Sequence, residues 1–444
     1  MKLSQLATWL GKNCEHDVDF KGVKIDSRHV ELGDLFVAFV GEKVDGHDFA
    51  HSAIDKGAVA ILAQKPIANL CVPILLVDDC FTALTQCAKQ YRQQLKAKIL
   101  ALTGSNGKTS VKEMLAEILP QPRFASKGNY NNQLGVPINI LNVPLDAAFA
   151  IFELGANHIG DIAYTSAMVK PDMALINNIG PAHLGGFGSI EGVAIAKGEI
   201  YQSLSSDGIA VVNDDDDYAH FWDDALRNEK VIRYSATHEA DVWAEQLQTD
   251  DNACYSFELH HGHQYQRVNL NVPGRHQVLN ALAAASMAFA AGVNVQHIVA
   301  GLERFSGVSG RLKIYKGHHD STIIDDTYNA NLASIKVGLE YLAKRPGVRI
   351  FVMGDLAELG DYSENQHRQI GHIAKGLGIE HLFAVGQSTP VTVQSFGDGA
   401  IHFDSREHLI DCLGPQLNHQ VTVLVKGSRS AKMEEVVKQL SNLY

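Results

Sequence analysis

The sequence predicts an α/β protein built as three domains, each around its own sheet. Three observations carry that reading. From Lys98 onward, short apolar runs alternate with segments of helical periodicity, the pattern of mostly parallel sheets covered on both faces. Thr103 to Ser110 reads T-G-S-N-G-K-T-S between an apolar run and such a helical segment, the context of a phosphate-binding loop. At 444 residues the chain is longer than one hydrophobic core usually serves.

Residues 1–96 read as a small α/β unit, with strands at Asp34 to Val40 and Ala58 to Leu62, a helix at Asp48 to Lys56, and a polar helix running through Tyr91. Residues 97–310 read as the central domain. Its strands are Lys98 to Leu102, Ala148 to Leu154, Met173 to Asn177 and Ile209 to Asn213, and its helices run to Leu119 and from Ser189 to Leu204. Cys254 to Leu259 and Gln264 to Leu270 alternate around His260-His-Gly-His263 and predict an antiparallel hairpin; a helix from His276 follows. Residues 311–444 repeat the alternation, with strands at Thr322 to Asp326, Arg349 to Met353, Leu382 to Val385 and Thr422 to Val425. Helices are expected at Leu332 to Lys344, Glu364 to Leu377 and Ala431 to Leu440, which makes this a doubly wound, Rossmann-like domain.

Hydrophobic residues at 45% and charged ones at 20% describe an ordinary globular chain rather than a disordered one. A net charge of −12 argues against nucleic-acid partners and anionic membrane surfaces, which need a basic face. Met1 to Lys12 lacks the apolar core of a signal peptide, and Ala281 to Val293 is too short for a bilayer span, so no membrane insertion and a cytoplasmic location are expected. The six cysteines form no C-x-x-C pair, which suggests buried thiols rather than a zinc site or disulfide framework.

In the phosphate loop, Gly104 and Gly107 let backbone N–H groups approach an oxyanion, while Ser105 and Asn106 alone separate Gly104 from the Gly-Lys pair. The general pattern has about four residues there, so this is a shortened variant. Lys108 is placed to reach the β- and γ-phosphates of a nucleotide, Thr109 to ligate magnesium, and Ser110 to open a helix whose dipole favours anions. Ligands in open α/β sheets sit beyond the carboxyl ends of strands. There the chain carries Glu153-Leu-Gly-Ala-Asn157, Asn177-Asn-Ile-Gly-Pro-Ala-His183, Asp325-Asp-Thr-Tyr-Asn-Ala-Asn331, Gly354-Asp355 and Lys426-Gly-Ser-Arg429. Two sheets with loaded edges suggest ATP held in a cleft that domain closure completes.

These segments resemble, in order and over essentially the whole chain, the Mur ligases of peptidoglycan synthesis. The resemblance rests on T-G-S-N-G-K-T-S, E-L-G-A-N-H, N-N-I-G-P-A-H-L with A-K-G-E, P-G-R-H-Q-V-L-N-A, G-R-L, D-D-T-Y-N-A-N, M-G-D-L-A-E-L-G and K-G-S-R-S. I-D-S-R at Ile25 to Arg28 and D-G-H-D-F at Asp45 to Phe49 extend it to the N-terminal domain. Leu332 stands where the family commonly has proline, and Asp161 where it has glutamate. The resemblance implies ATP-dependent amide formation through an acyl phosphate, with ATP and Mg2+ as cofactors and a monomer acting on small-molecule substrates. D-D-T-Y-N-A-N is similar to the branch that adds D-alanyl-D-alanine to UDP-N-acetylmuramoyl-tripeptide, whereas branches adding single amino acids carry a histidine-containing element there. A single-amino-acid Mur ligase or folylpolyglutamate synthetase is the alternative within the superfamily, and a nucleotide-binding regulatory protein without ligase activity the alternative outside it.

Residue by residue, the resemblance implies that Glu153 and Thr109 hold magnesium, that His183 serves a second metal, and that Lys197 is carbamylated to assist metal binding. It places Asn280 near the adenine, Arg311 on phosphate across the cleft, and Asp326 on the ribose hydroxyls. Ser27 and Arg28 correspond to the uridine-diphosphate site, Asn129, Asn131 and Asn132 to the muramoyl-substrate loop, and Tyr328 and Asn329 to the incoming dipeptide. From the residues alone, Lys197 reads as a solvated helix lysine, His183 as a loop-orienting hydrogen bonder, and Arg311 as an interdomain ion pair. Asp214 to Asp217 reads as acids opening a polar helix, and the histidines at 260, 261 and 263 as a hairpin tip rather than a metal site.

Overall fold

The β-branched and aliphatic runs assemble into three sheets, each wholly or mostly parallel. The computed structural model describes residues 1–41, 44–181, 184–357 and 359–441. The N-terminal sheet is wholly parallel, in the order β1 (Val23–Lys24), β2 (Leu35–Ala38), β3 (Ala60–Ala63) and β4 (Ile74–Leu76).

The central sheet comprises β5 (Lys98–Thr103), β6 (Arg123–Ala125), β7 (Phe149–Glu153), β8 (Met173–Ile176), β9 (Ile209–Asn213), β10 (Lys230–Ser235), β11 (Val242–Thr249), β12 (Cys254–His261) and β13 (Gln264–Pro273). Their spatial order is β13-β12-β11-β10-β9-β8-β5-β7-β6. Pairing is parallel from β6 to β11 and antiparallel across β11, β12 and β13, so the anticipated hairpin forms the end of a larger sheet. The third sheet comprises β14 (Lys313–Lys316), β15 (Thr322–Asp326), β16 (Val348–Gly354), β17 (His381–Val385), β18 (Ala400–Phe403) and β19 (Val421–Lys426). Its order is β14-β15-β19-β16-β17-β18, antiparallel only at the β14 edge. The predicted α/β class is therefore observed.

Fully buried Leu100 and Leu102 point to one face of β5 and Ile99 and Ala101 to the other, the near-continuous apolar run of a strand covered on both sides. One apolar core runs from Leu62 and Cys87 of the N-terminal lobe into Ile99 and Phe152 of the central sheet, so these two lobes share an interior. The C-terminal lobe has separate cores on its two faces, around Phe351 and around Val423. A lobe with its own core can fold and move as a unit.

One sequence expectation changes. No regular helix follows Asp214 to Asp217; the segment to Asn228 is a succession of turns. These carboxylates instead tie loops, Asp215 accepting from Ser235 Oγ and the Ala236 amide and Asp216 from the Ile179 amide. Such long-range ties compete with helix-starting contacts.

Candidate functional site

The turn from β5 into the helix Lys108–Ile118 is made by two glycines in conformations that side chains rarely adopt, Gly104 at φ 152° and Gly107 at φ 80°. A β-carbon on Gly107 would lie 2.4 Å from Asn280 Oδ1 and 2.5 Å from Asn177 Nδ2, so close packing as well as backbone geometry requires glycine. The loop is braced from the adjacent strand ends. Asn106 N donates to Asn178 Oδ1 at 2.8 Å, Asn177 Nδ2 donates to Asn106 O at 2.9 Å, and Ser105 Oγ donates to Gly180 O at 3.0 Å. This leaves the helix N-terminus and its amides facing a cavity of about 840 Å³, within the size range of small-molecule sites.

All three lobes line that cavity. Phe81 comes from the N-terminal lobe, Gly104 to Lys108 and Glu153 from the central lobe, and Arg311, Asp326, Tyr328 and Asn329 from the C-terminal lobe. Lys108 Nζ donates to Gly104 O at 2.7 Å, and desolvation with the nearby Arg311 charge holds its pKa below the usual lysine value, opposed by Glu153. Thr109 Oγ1 donates to Glu153 Oε2 at 2.8 Å, and Asn131 Nδ2 donates to Glu153 Oε1 at 2.9 Å. The hydroxyl and carboxylate pair offers hard oxygens of the kind magnesium prefers.

Lys197 is buried in the helix Ile190–Gly198, and desolvation plus the charge of Lys108 drives its pKa well below the ordinary value. It lines the cavity rather than solvent, against the residue-only expectation of a solvated helix lysine. Two residues on, Glu199 accepts from the Gly160 and Ala163 amides at 2.7 and 2.8 Å and caps the helix Asp161–Val169.

From the C-terminal lobe, Arg311 stacks on Tyr328 at 4.4 Å from the ring centroid and donates to Thr109 Oγ1 at 2.8 Å. Among the described residues it is a hydrogen-bond donor across the cleft rather than half of an ion pair. Asp326 meets Lys426 Nζ at 2.6 Å and accepts from the Leu312 amide at 3.2 Å. Asn280 accepts from Asn177 and donates to Gln277, placing its amide at the cavity wall.

Other expected residues divide by location. Asn129, Asn131 and Asn132 line the cavity, as does Ser110. Ser27 and Arg28 lie outside it, on the short turn Ser27–His29, where the exposed Arg28 pairs with Asp26 at 2.7 Å. His183 lies outside the described residues. Sequence reasoning assigned no role to Asn178, Asn331, His276 or Lys426. Asn331 Nδ2 donates to Asn106 Oδ1 at 3.1 Å across the cleft, and burial pushes the His276 imidazole down to about 4. Each occupies a motif already noted for its position after a strand or at a helix start, and that position was the available signal.

Comparison with known proteins identifies the family. Residues 19–92 match the Mur ligase family, catalytic domain; residues 102–288 the Mur ligase middle domain; and residues 310–429 the Mur ligase, glutamate ligase domain. The UDP-N-acetylmuramoyl-tripeptide–D-alanyl-D-alanine ligase of Escherichia coli (strain K12) is 41% identical over 99% of this chain and 98% of its own length. The chain belongs to the Mur ligase family. The Bacillus subtilis (strain 168) ligase of the same name is 30% identical over 94% of this Mur ligase and 93% of its own length. Crystal structures of MurF from Acinetobacter baumannii superpose with a TM-score of 0.86 at 35% identity, covering 98% of both chains. MurF ligase from Thermotoga maritima, in complex with ADP, gives 0.78 at 28% identity, covering 94% of this Mur ligase and 96% of that chain.

Proposed function

We propose that this chain joins D-alanyl-D-alanine to UDP-N-acetylmuramoyl-tripeptide, using ATP and forming the amide through an acyl phosphate. The observation that carries the reading is the convergence of the phosphate loop, Glu153 and Arg311 on one cavity that all three lobes line. The near full-length likeness to ligases bearing that name supports the substrate pair. In the first step a carboxylate oxygen of the tripeptide attacks the γ-phosphorus and ADP leaves. In the second the amine of the dipeptide attacks the acyl carbon, loses a proton, and inorganic phosphate departs with the cleaved C–O bond.

Each step concentrates negative charge, and fixed donors that stabilise it need no reorganisation at the moment of reaction. Lys108 and the loop amides hold the β- and γ-phosphates, and Arg311 supplies a cation from the opposite wall. Thr109 and Glu153 fit a magnesium ion by donor type and adjacency. When bound, magnesium neutralises phosphate charge during transfer. Lys197 joins these ligands as a carbamate; the lowered pKa favours the neutral amine that reacts with CO₂. Asp326 and Asn280 orient ribose and adenine, Asn129 and Asn132 the muramoyl peptide, Ser27 and Arg28 its uridine diphosphate, and Tyr328 with Asn329 the incoming dipeptide.

Phosphate release from ATP, measured with UDP-muramoyl-tripeptide in the presence and absence of D-alanyl-D-alanine, tests the proposal. Release should require the dipeptide; release indifferent to it would discard the assignment. The D-D-T-Y-N-A-N element disfavours the single-amino-acid and folylpolyglutamate alternatives.

A further inference from the structure

Away from the cleft, the β11 and β12 ladder gathers two carboxylates and an imidazole on one face. Glu245 pairs directly with Glu258, and His260 lies two residues beyond Glu258, so the three side chains project to the same side. His260 Nε2 is 3.5 Å from Glu258 Oε2 and 3.7 Å from Glu245 Oε2, and one ligand atom from each residue lies within 4.8 Å of the others. That ring nitrogen is shielded from solvent and has no hydrogen-bond partner among the described residues.

The arrangement is built rather than loose. The His260 ring lies between Trp243, at 4.8 Å and 18° between planes, and Tyr265, at 5.3 Å and 19°. Trp243 Nε1 donates to Glu245 Oε1 at 3.1 Å, leaving Oε2 for the imidazole side. The ladder register shifts just after Glu245, a bulge of the kind that re-aims side chains. Like charges directly opposite on a ladder repel. Arg267, opposite Glu258 on the other flank, directs its guanidinium to Gln246 O, Gln248 Oε1 and Ser256 Oγ, not to either glutamate.

We propose that Glu245, Glu258 and His260 form a divalent transition-metal site of the zinc class, separate from the catalytic cavity, that ties β11 to β12. Tetrahedral zinc with bonds of about 2.0–2.1 Å has ligand-to-ligand edges of about 3.4 Å. Both nitrogen-to-oxygen separations are close to that length and the two carboxylate oxygens lie within 4.8 Å of each other, so binding needs the glutamate side chains to close inward around the ion. One borderline nitrogen and two hard oxygens suit zinc, whereas magnesium favours an all-oxygen shell. Two carboxylates balance a divalent charge with the imidazole neutral. The exposed Glu245 leaves the fourth position open to water. The indole contact to Glu245 is the kind of supporting hydrogen bond that orients a ligand.

The test is a titration of the full-length protein with zinc chloride at about pH 8, where an ordinary imidazole is neutral, in excess magnesium chloride. Binding is followed calorimetrically and by thermal midpoint in wild type, Glu258→Gln and His260→Asn. The near-isosteric Gln variant and circular dichroism guard against misfolding. We expect one zinc bound and a raised midpoint in wild type, affinity weakened at least about tenfold in both variants, and unchanged ligase turnover without zinc in all three. Absence of zinc binding by wild type would leave only a histidine–carboxylate contact and overturn the proposal. Equal zinc binding in the variants would place the ion elsewhere and overturn it as well.

Discussion

Arg311 Nη2 donates to Thr109 Oγ1 at 2.8 Å, and the same hydroxyl donates onward to Glu153 Oε2 at 2.8 Å. A single chain of contacts thus links the C-terminal lobe, the phosphate loop and the end of β7. The first prediction follows from this link. Arg311→Ala should lower kcat/KM by about 10²- to 10³-fold, the scale of removing one preorganised donor to developing charge. Its thermal midpoint should stay near that of wild type. Arg311→Lys should recover little, because lysine lacks both the planar stack on Tyr328 and the forked donor geometry. Steady-state phosphate release measures both variants, and full rescue by lysine would refute the role.

Lys426 and Asp326 form a buried pair at 2.6 Å, and Lys426 also donates to Asn329 O at 3.0 Å. Lys426 therefore holds the end of β15 and the loop that follows it. Removing one partner strands a buried charge, so Lys426→Met should cost about 3–5 kcal/mol in urea unfolding. Lys426→Met with Asp326→Leu should recover most of that stability while turnover stays low. A double variant no more stable than the single would contradict the pairing argument.

The buried Lys197, as the free amine before CO₂ adds to it, predicts a pH signature to be read in CO₂-depleted buffer. Its folded pKa lies well below the lysine value of 10.5 that the unfolded chain retains, mainly through desolvation. Between those two values the unfolded state holds a proton that the folded state lacks, so this residue makes wild type more stable as pH rises toward 10.5. Lys197→Met lacks that dependence. At neutral pH the variant should be the more stable protein, with the gap narrowing as pH increases and turnover lost throughout. Urea midpoints at several pH values decide it, and a pH-independent gap would count against a depressed Lys197.

Much of this molecule is legible in its sequence, for physical reasons. β9 and β15 were anticipated with their observed bounds because short apolar runs closed by turn residues have few other uses. The phosphate loop was legible because Gly104 and Gly107 occupy conformations that exclude other residues. The helix Gly135–Leu141 was missed, since its glycine and proline read locally as a turn, although its face is buried against the helix Cys80–Arg92. β11 was missed because its second half is polar and interrupted by a bulge. Lys426 and Asn331 matter through partners about a hundred or more residues away, and local pattern carries no information about such distances.

Asn131 provides the sharpest separation of two roles. Resemblance assigns it to the muramoyl-substrate loop, while in the structure its Nδ2 donates to Glu153 Oε1 at 2.9 Å and its side chain packs against Gly155. A group that hydrogen-bonds a metal-binding carboxylate fixes its orientation, and its loss commonly costs about 10- to 100-fold in metal affinity. Asn131→Ala should therefore raise the magnesium concentration needed for half-maximal turnover by about that factor, with excess magnesium restoring most of the rate. If Asn131 acts on the muramoyl peptide alone, KM for that substrate will rise and the magnesium requirement will not move. Titrating each component against the other at saturation separates the two outcomes, and an unchanged magnesium requirement would remove Asn131 from the support of Glu153.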